Sequence, residues 1–388
     1  MSFAPLLAAV TAAIVGCGGS IAIVLAAADA VHATRAETAS WITAICWAIA
    51  GSTSILSLRH RLPIITAWST PGAALLAASG AGFDMQTAVG VFIVTALLIL
   101  LASVVSPLLR LIERIPMAVA AGMLAGVLLR LVIAPFEAIP EAPLLVVPLL
   151  ILFILARRLS PATAVIAVLA GGSALSWFLG LVKPLPDLEF AHPVLFAPKF
   201  DITAIVGVSL PLFLVTMASQ NLAGFAVLRG SGYTAVPARS ILAVTGLTSL
   251  MSAVFGAHTS NLAAISAAIC TGGDAHPDPR RRWQTGPPYA FCYLLFGLFG
   301  PSLVGIFSAL PLPLIKTVAG VALTGPLVGA LTTAFAGSGD RFAPGLAFAV
   351  TASGVTLVGV GGAFWGLLAG LLVVGLEKVR QPQPTTNR

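Results

Sequence analysis

The stretch FGAHTSNLAAISAAIC, residues Phe255 to Cys270, breaks a series of long apolar runs with four successive polar side chains: His258, Thr259, Ser260 and Asn261. A lipid-facing helix has no use for such a run, because every polar group placed in hydrocarbon must find a partner. A second stretch repeats the pattern. AWSTPGAALLAA (Ala67–Ala78) aligns without gaps over AHTSNLAAISAA (Ala257–Ala268), setting Ser69 on Thr259, Thr70 on Ser260 and Leu75 on Ile265. Both stretches are too short to cross a bilayer alone, and both carry helix-start chemistry. Thr70 before Pro71 reads as an N-cap followed by proline at the first helical position, and Ser260 before Asn261 reads as the matching cap. Ile64–Thr66 and Val254–Gly256 are then expected to be extended or irregular backbone. Such backbone is tolerated at membrane depth only when buried in protein or lining a cavity. Two half-helices with facing N-termini would gather free N–H groups and positive dipole ends at the midplane, where a carboxylate is well placed. For any single hydroxyl, the competing reading is a bond to its own preceding turn or to a neighbouring helix.

The chain around these stretches is apolar. Only 9% of its 388 residues are charged and the mean hydropathy is +1.04, whereas soluble domains carry about 25% charged residues. Fourteen apolar segments can be counted, at 3–28, 38–57, 65–79, 86–107, 116–134, 143–156, 161–181, 203–228, 237–255, 258–271, 284–301, 312–334, 342–357 and 360–378. This is an all-α polytopic membrane protein, and the first segment reads as a retained helix, not a signal peptide. The polar stretch Lys183 to Asp201 divides the segments seven and seven. An odd number per half requires the halves to insert in opposite senses, as inverted repeats do. The expected organisation is a first repeat over 1–182, an external linker over 183–202, a second repeat over 203–380 and a cytoplasmic tail over 381–388. A further match between the halves sets AAGMLAG (Ala120–Gly126) over VAGVALT (Val318–Thr324).

Charge placement agrees with this count. With a cytoplasmic N-terminus, the even loops hold Arg59, Arg61, Arg110, Arg114, Arg157, Arg158, Arg229, Arg239, Arg280, Arg281, Arg282 and Arg341. The C-terminal end adds Lys378, Arg380 and Arg388. Only Arg35, Arg130, Lys183, Lys199 and Lys316 fall on the other side, together with most of the acids, as a positive-inside topology requires. Both termini are therefore expected on the cytoplasmic side of the membrane. The net charge of +7 belongs to these loops and does not indicate nucleic-acid binding.

A third polar cluster lies in the eighth segment, where Ser219, Gln220 and Asn221 interrupt TMASQNLAGFAVLR. Adjacent amides in an apolar span must be partnered, either as interhelical glue or by a ligand. The corresponding part of the first segment, GCGGS (Gly16–Ser20), lacks the Lys-Ser/Thr ending of a phosphate loop and reads as a close-packing site. Cys17, Cys46, Cys270 and Cys292 stand singly among apolar residues and read as small buried hydrophobes. No metal-ligand spacing, cofactor motif or nucleophile–base set is present, so neither a cofactor nor an intramembrane enzyme is expected.

The three motifs AWSTPGAALL, TMASQNLAGFAVLR and GAHTSNLAAISAAIC resemble the BenE family of benzoate–proton symporters, with similarity along nearly the whole chain. More remotely, the arrangement is similar to the uracil permease and nucleobase–ascorbate transporter fold. That resemblance implies a core domain (segments 1–4 and 8–11) and a gate domain (segments 5–7 and 12–14). Substrate would lie between the third and tenth half-helices, beside the first and eighth segments. It implies import of benzoate or a related aromatic carboxylate with protons by alternating access. The implied substrate contacts are Ser69, Thr70, Gln220, Asn221, Thr259, Ser260 and Asn261, with the ring against apolar surface that includes Trp68. A homodimer through the gate domain is also implied. Nucleobase permeases of that fold carry acids at the positions of Gln220 and Ser260. Their absence here suits an anionic substrate and removes the obvious proton carriers. His258 and Asp29 remain as coupling candidates. A nucleobase or inorganic-anion carrier of the same fold, or an ion channel, is the alternative.

Overall fold

The computed structural model describes residues 3–18, 20–79, 83–105, 116–160, 163–336, 341–358 and 360–380. Arg110, Arg114, Arg388 and the expected tail 381–388 lie outside the described residues. In the first half the elements are α1 (Ala4–Gly18), α2 (Ile21–Ala30), α3 (Arg35–His60), β1 (Thr66–Trp68), α4 (Thr70–Ser79), α5 (Met85–Val104), α6 (Met117–Glu137), α7 (Pro143–Leu159) and α8 (Ala164–Phe178). The second half holds α9 (Ile202–Gly230), α10 (Ala238–Ala253), β2 (Ser260–Leu262), α11 (Ile265–Thr271), α12 (Gly286–Leu298), α13 (Gly300–Ala309), α14 (Leu312–Phe335), α15 (Phe342–Ala352) and α16 (Gly362–Arg380).

Each of the fourteen apolar segments contains helix, in the order read from the sequence, but they do not make fourteen spans. Among the described residues, six helices are long and apolar enough to cross a membrane: Ala4–Ala30, α3, α5, α6, α9 and α14. A seventh is reached if Pro279–Leu298 and Gly300–Ala309, bent by 66° at their junction, form one span. The others are short. Ten residues of α4 rise about 15 Å and seven of α11 about 10 Å, against a hydrocarbon core of about 30 Å. Counting apolar runs overstated the spans because a run does not reveal where its helix stops.

Several acids between the apolar segments are helix caps. The Thr34 hydroxyl accepts from Glu37 N–H while the Glu37 carboxylate accepts from Thr34 N–H at 2.7 Å, a capping box that opens α3. Asp84 accepts from Thr87 N–H at 2.9 Å to open α5, and Asp201 accepts from Ala204 N–H at 2.8 Å to open α9. The linker forms no helix or strand between residues 181 and 201. It is strapped across helix ends instead. Val194 N–H donates to Ser40 Oγ at 2.8 Å, Phe196 N–H to Val254 O at 2.8 Å and Lys199 N–H to Gln86 O at 3.0 Å. Arg35 pairs with Glu189 at 3.0 Å.

Packing falls into two groups. The first gathers α3, α5, α10, α12 and α13 around the strand pair, and the second gathers α6, α7, α8, α14, α15 and α16. Between them, α4 lies against α6, and α2 against α14. Small residues allow close approach within the second group. A Cβ on Gly126 would come 2.7 Å from Phe348 O, so backbone meets backbone there, as membrane helix pairs permit.

Candidate functional site

The two broken segments meet as an antiparallel strand pair. β1 and β2 pair in the register Thr66 with Leu262, Ala67 with Asn261 and Trp68 with Ser260. The ladder extends at both ends: Ser69 N–H donates to Thr259 O at 3.0 Å and Ala263 N–H to Ile65 O at 2.9 Å. These backbones are otherwise non-helical in the protein interior, and pairing with each other satisfies them.

The strand register corrects the gapless alignment by four residues. Thr66, not Thr70, occupies the position equivalent to Ser260, because each is the first residue of its strand. The caps change accordingly. Ser69 is the N-cap of α4, since its Oγ accepts from Gly72 N–H at 3.1 Å and its carbonyl accepts from Ala73 N–H at 2.8 Å. Thr70 and Pro71 are the first two helical residues. Proline is tolerated throughout a first turn, so Thr-Pro alone did not locate the cap. Ser260 is no cap at all. It belongs to β2, and α11 begins five residues later at Ile265, with Ala264 before it and no side-chain cap. Likewise Val254–Gly256 forms a turn with Gly256 at φ +90°, and the extended backbone starts at Ser260.

Two hydroxyl clusters clamp the strands in matching ways. Thr66 N–H donates to Thr53 Oγ1 at 3.1 Å, and the Thr66 hydroxyl shares 2.7 Å bonds with Ser52 and Thr53 of α3. Ser260 N–H donates to Ser249 Oγ at 2.9 Å, and the Ser260 hydroxyl meets Ser249 at 3.2 Å and Thr248 at 3.3 Å on α10. Ser260 is fully buried and its hydroxyl is committed to protein partners. The sequence reading missed Ser52, Thr53, Thr66, Thr248 and Ser249. Their trace is the pair STS in Ser52–Ser54 and TS in Thr248–Ser249, each a short distance before a broken segment.

The eighth segment supplies the third wall. α9 loosens into π-helical turns at Ile205–Ser209 and Thr216–Asn221, a distortion that frequently marks functional positions. The second turn holds Thr216, Gln220 and Asn221. Thr216 Oγ1 bridges the two broken segments, 3.0 Å from Ser69 Oγ and 3.3 Å from Thr259 Oγ1. Asn221 Oδ1 accepts from Leu262 N–H at 3.1 Å at the end of β2, and its amide reaches Met217 Sδ at 3.4 Å. Gln220 is half-buried and makes no hydrogen bond among the described residues, and Thr70 is half-buried beside the start of α4.

His258 is fully buried behind Ser69. The indole N–H of Trp41 donates to its Nδ1 at 2.8 Å. An indole only donates, so Nδ1 is the acceptor and the neutral ring carries its proton on Nε2. Among the described residues that Nε2 lacks a hydrogen-bond partner, although the ring lies beside the Ser69 backbone, and so does Asn261 Oδ1. Trp41 and Phe92 pack edgewise at 5.1 Å around the imidazole. Trp68 is buried, donating its N–H to Ser20 Oγ at 2.7 Å. Gly16 allows close packing as expected, because a Cβ there would sit 2.8 Å from Ser266 Oγ and 3.1 Å from Tyr293 OH. Asp29 stands apart. It is exposed at the end of α2, outside the hydrogen-bonded cluster.

The arrangement thus brings Ser69, Asn221, His258, Thr259, Ser260 and Asn261 into one buried network around the strand pair, with Thr70 and Gln220 on its accessible edge. Such a network can hold an anion at the start of α4, where Ser69 orders the first turn. Its chemistry is that of binding: hydroxyls, amides and one imidazole, with no carboxylate among them.

Comparison with known proteins gives the family, and solved transporters share the helical membrane fold. The BenE model, described as benzoate membrane transport protein, matches residues 1–376. Inner membrane protein YdcO of Escherichia coli (strain K12) is 41% identical over 367 residues, covering 94% of this chain and 93% of that protein. The benzoate membrane transport protein of Acinetobacter baylyi is 35% identical over 372 residues, covering 96% and 94%. Among solved structures, the transmembrane domain of the cyanobacterial bicarbonate transporter BicA is similar at TM-score 0.59 and 16% identity, covering 98% of each chain. SLC26A9 is similar at TM-score 0.67 and 12% identity, covering 98% of this chain and 66% of that one.

Proposed function

We propose that this chain, which belongs to the BenE family of benzoate membrane transport proteins, imports benzoate or a related aromatic carboxylate together with protons. The chain is a multi-pass inner-membrane transporter and not an enzyme. Substrate identity, coupling and orientation are the proposed part. One observation carries the site. The paired strands deliver the start of α4 to the protein interior, where Thr70 is half-buried, and Gln220, one π-turn after the Thr216 that bonds Ser69, makes no hydrogen bond among the described residues. In this reading the substrate carboxylate accepts hydrogen bonds from the Thr70 hydroxyl, the Gln220 amide and the free N–H of the first turn of α4. Pro71 contributes no N–H there. The absence of any acid in the cluster favours an anion.

His258 is the proposed proton carrier. Protonating Nδ1 would place an N–H against the Trp41 N–H and break the 2.8 Å bond. Because the ring lies beside Ser69, its displacement would reach the cap of α4 directly. Thr259, Ser260 and Asn221 act on the substrate through the strand pair they hold. Ser260 is engaged by α10, whereas Asn261 Oδ1 has no hydrogen-bond partner among the described residues. Alternating access would move the strand-pair group against the α6–α14 group, the two halves being related as inverted repeats with both termini cytoplasmic. A homodimer through the α6–α14 group belongs to the same reading.

Purified protein in liposomes provides the test. Uptake of radiolabelled benzoate is expected to accelerate when an inward proton gradient is imposed and to slow when an ionophore collapses it. Uptake indifferent to the gradient would remove proton coupling. An inorganic anion is the second reading, favoured by the fold shared with the bicarbonate transporter; competition by excess bicarbonate separates the two.

A further inference from the structure

We propose that Arg130 forms an anion-capture site, distinct from the strand-pair site, that receives the substrate carboxylate on its way to α4. Arg130 is the sole basic residue of α6, a 21-residue apolar helix, and its side chain is exposed. Such a charge needs a partner or a wet cavity. It lines a small cleft, which it shares with Ser79 at the end of α4, with Thr351 at the end of α15 and with Gly354 and Thr356 between α15 and α16. No carboxylate lies within ion-pair distance of it among the described residues. Among the described residues its one hydrogen bond is long, 3.4 Å from Nη1 to Ala78 O at the C-terminal end of α4. A guanidinium carries five N–H donors in a fork that matches a carboxylate, so most of its capacity is open to a ligand.

The surrounding backbone is shaped to the guanidinium. Gly354 has φ +67°, and a Cβ there would come 2.5 Å from Nη1. The left-handed backbone favours glycine there, and its bare Cα lets the guanidinium lie against it. The cleft and the candidate site lie at opposite ends of the same half-helix. From Thr70 to Ala78 is about 12 Å along α4, farther than one small carboxylate reaches. Arg130 therefore cannot grip a substrate already seated at Thr70. The carbonyls that end α4 carry negative partial charge and hold the guanidinium when the cleft has no anion. A bound carboxylate replaces that weak contact, and its release returns Arg130 to Ala78 O. This makes Arg130 a transient station that sets how readily dilute substrate is gathered, not how fast the loaded carrier turns over.

The inference rests on the carrier reading above, and initial rates separate the two. Radiolabelled benzoate uptake into proteoliposomes would be measured against concentration for wild type, Arg130→Gln and Arg130→Lys, with folding checked by thermal melting. Arg130→Gln is expected to raise KM by roughly tenfold or more, as for a lost charge-assisted hydrogen bond, with the maximal rate little changed. Arg130→Lys keeps the charge without the fork and is expected to lie between them. Added chloride should raise KM in wild type and much less in Arg130→Gln. An active Arg130→Gln protein with wild-type KM and salt response overturns the inference and leaves the carrier reading intact. Should Arg130→Gln fail to fold, Arg130→Lys decides: an unchanged KM or a loss confined to the maximal rate also overturns it. Wild-type protein that takes up no benzoate removes both.

Discussion

Asn221 holds the end of β2 to the eighth segment, and replacing it separates holding the site from filling it. In Asn221→Leu the Leu262 N–H loses its acceptor at 3.1 Å. Both residues are buried, at 0% and 1% exposure, so no water takes over the bond. Leaving a buried donor unpaired costs about 1–3 kcal/mol; the long contact to Met217 sulfur adds little. A cost near 2 kcal/mol corresponds to a melting temperature lower by roughly 2–4 °C for a protein of this size. Loosening the end of β2 also loosens β1 and the start of α4, so uptake should fall with stability. Asn221→Asp keeps an oxygen for Leu262 N–H, so its stability loss should be smaller. It adds an ionisable acid beside the proposed anion position. The ionised form repels the substrate and the protonated form does not, so the uptake defect should deepen as pH rises. Melting of purified protein in detergent and uptake by proteoliposomes at two pH values read both effects. Asn221→Leu with wild-type melting and wild-type uptake would refute the role of this bond.

Other substitutions follow from the same geometry. Gly16→Val should sharply reduce folded protein, because its side chain meets Ser266 and Tyr293. Gly51→Ala, whose Cβ meets nothing within 4 Å, should instead stabilise α3 by about 0.5–1 kcal/mol; melting and expression compare the two. Trp41→Phe deprives His258 Nδ1 of its donor, and the pH dependence of benzoate uptake should shift while uptake persists; an unmoved profile would count against His258 as the proton carrier. The Asp84 carboxyl is held below the usual range, chiefly by the Thr87 hydroxyl and N–H. Its capping stability is present above the ordinary carboxylate pKa and is lost as pH falls through the lowered one. Asp84→Asn should therefore flatten the acid limb of the melting-temperature profile. Arg35→Ala removes an ion pair whose side chains are 51% and 46% exposed, and melting should change by less than about 1 kcal/mol equivalent.

Much of this site was legible because membrane burial makes polar residues conspicuous. His258 to Asn261, Ser69 with Thr70, and Gln220 with Asn221 each stand out against apolar neighbours, and the fold gathers them. The position of the break was harder to read. A run such as AHTSNLAAI suits a helix start at either hydroxyl. Only the contacts from Thr248, Ser249 and Asn221 show why Ser260–Leu262 stays extended and why α11 waits until Ile265. Those partners lie on other segments, 11 to 41 residues away. The same limit explains the span count, because apolarity marks burial in lipid or protein alike and does not fix helix length. The π-helical turns of α9 left no sequence trace apart from the polar cluster they carry. The linker appeared as a polar interruption, whereas its backbone bonds to Ser40, Val254 and Gln86 make it part of the fold.

Locating a heavy-atom substrate analogue is the most direct measurement of where the anion sits. 4-Bromobenzoate can be placed by anomalous scattering from the bromine in crystals of the protein, once its competition with benzoate uptake is established. The expected result is a carboxylate within hydrogen-bonding distance of Thr70 and Gln220 at the start of α4, with Ser69 still capping that helix. A competing analogue bound elsewhere, with Thr70 and Gln220 untouched, would contradict the strand-pair site.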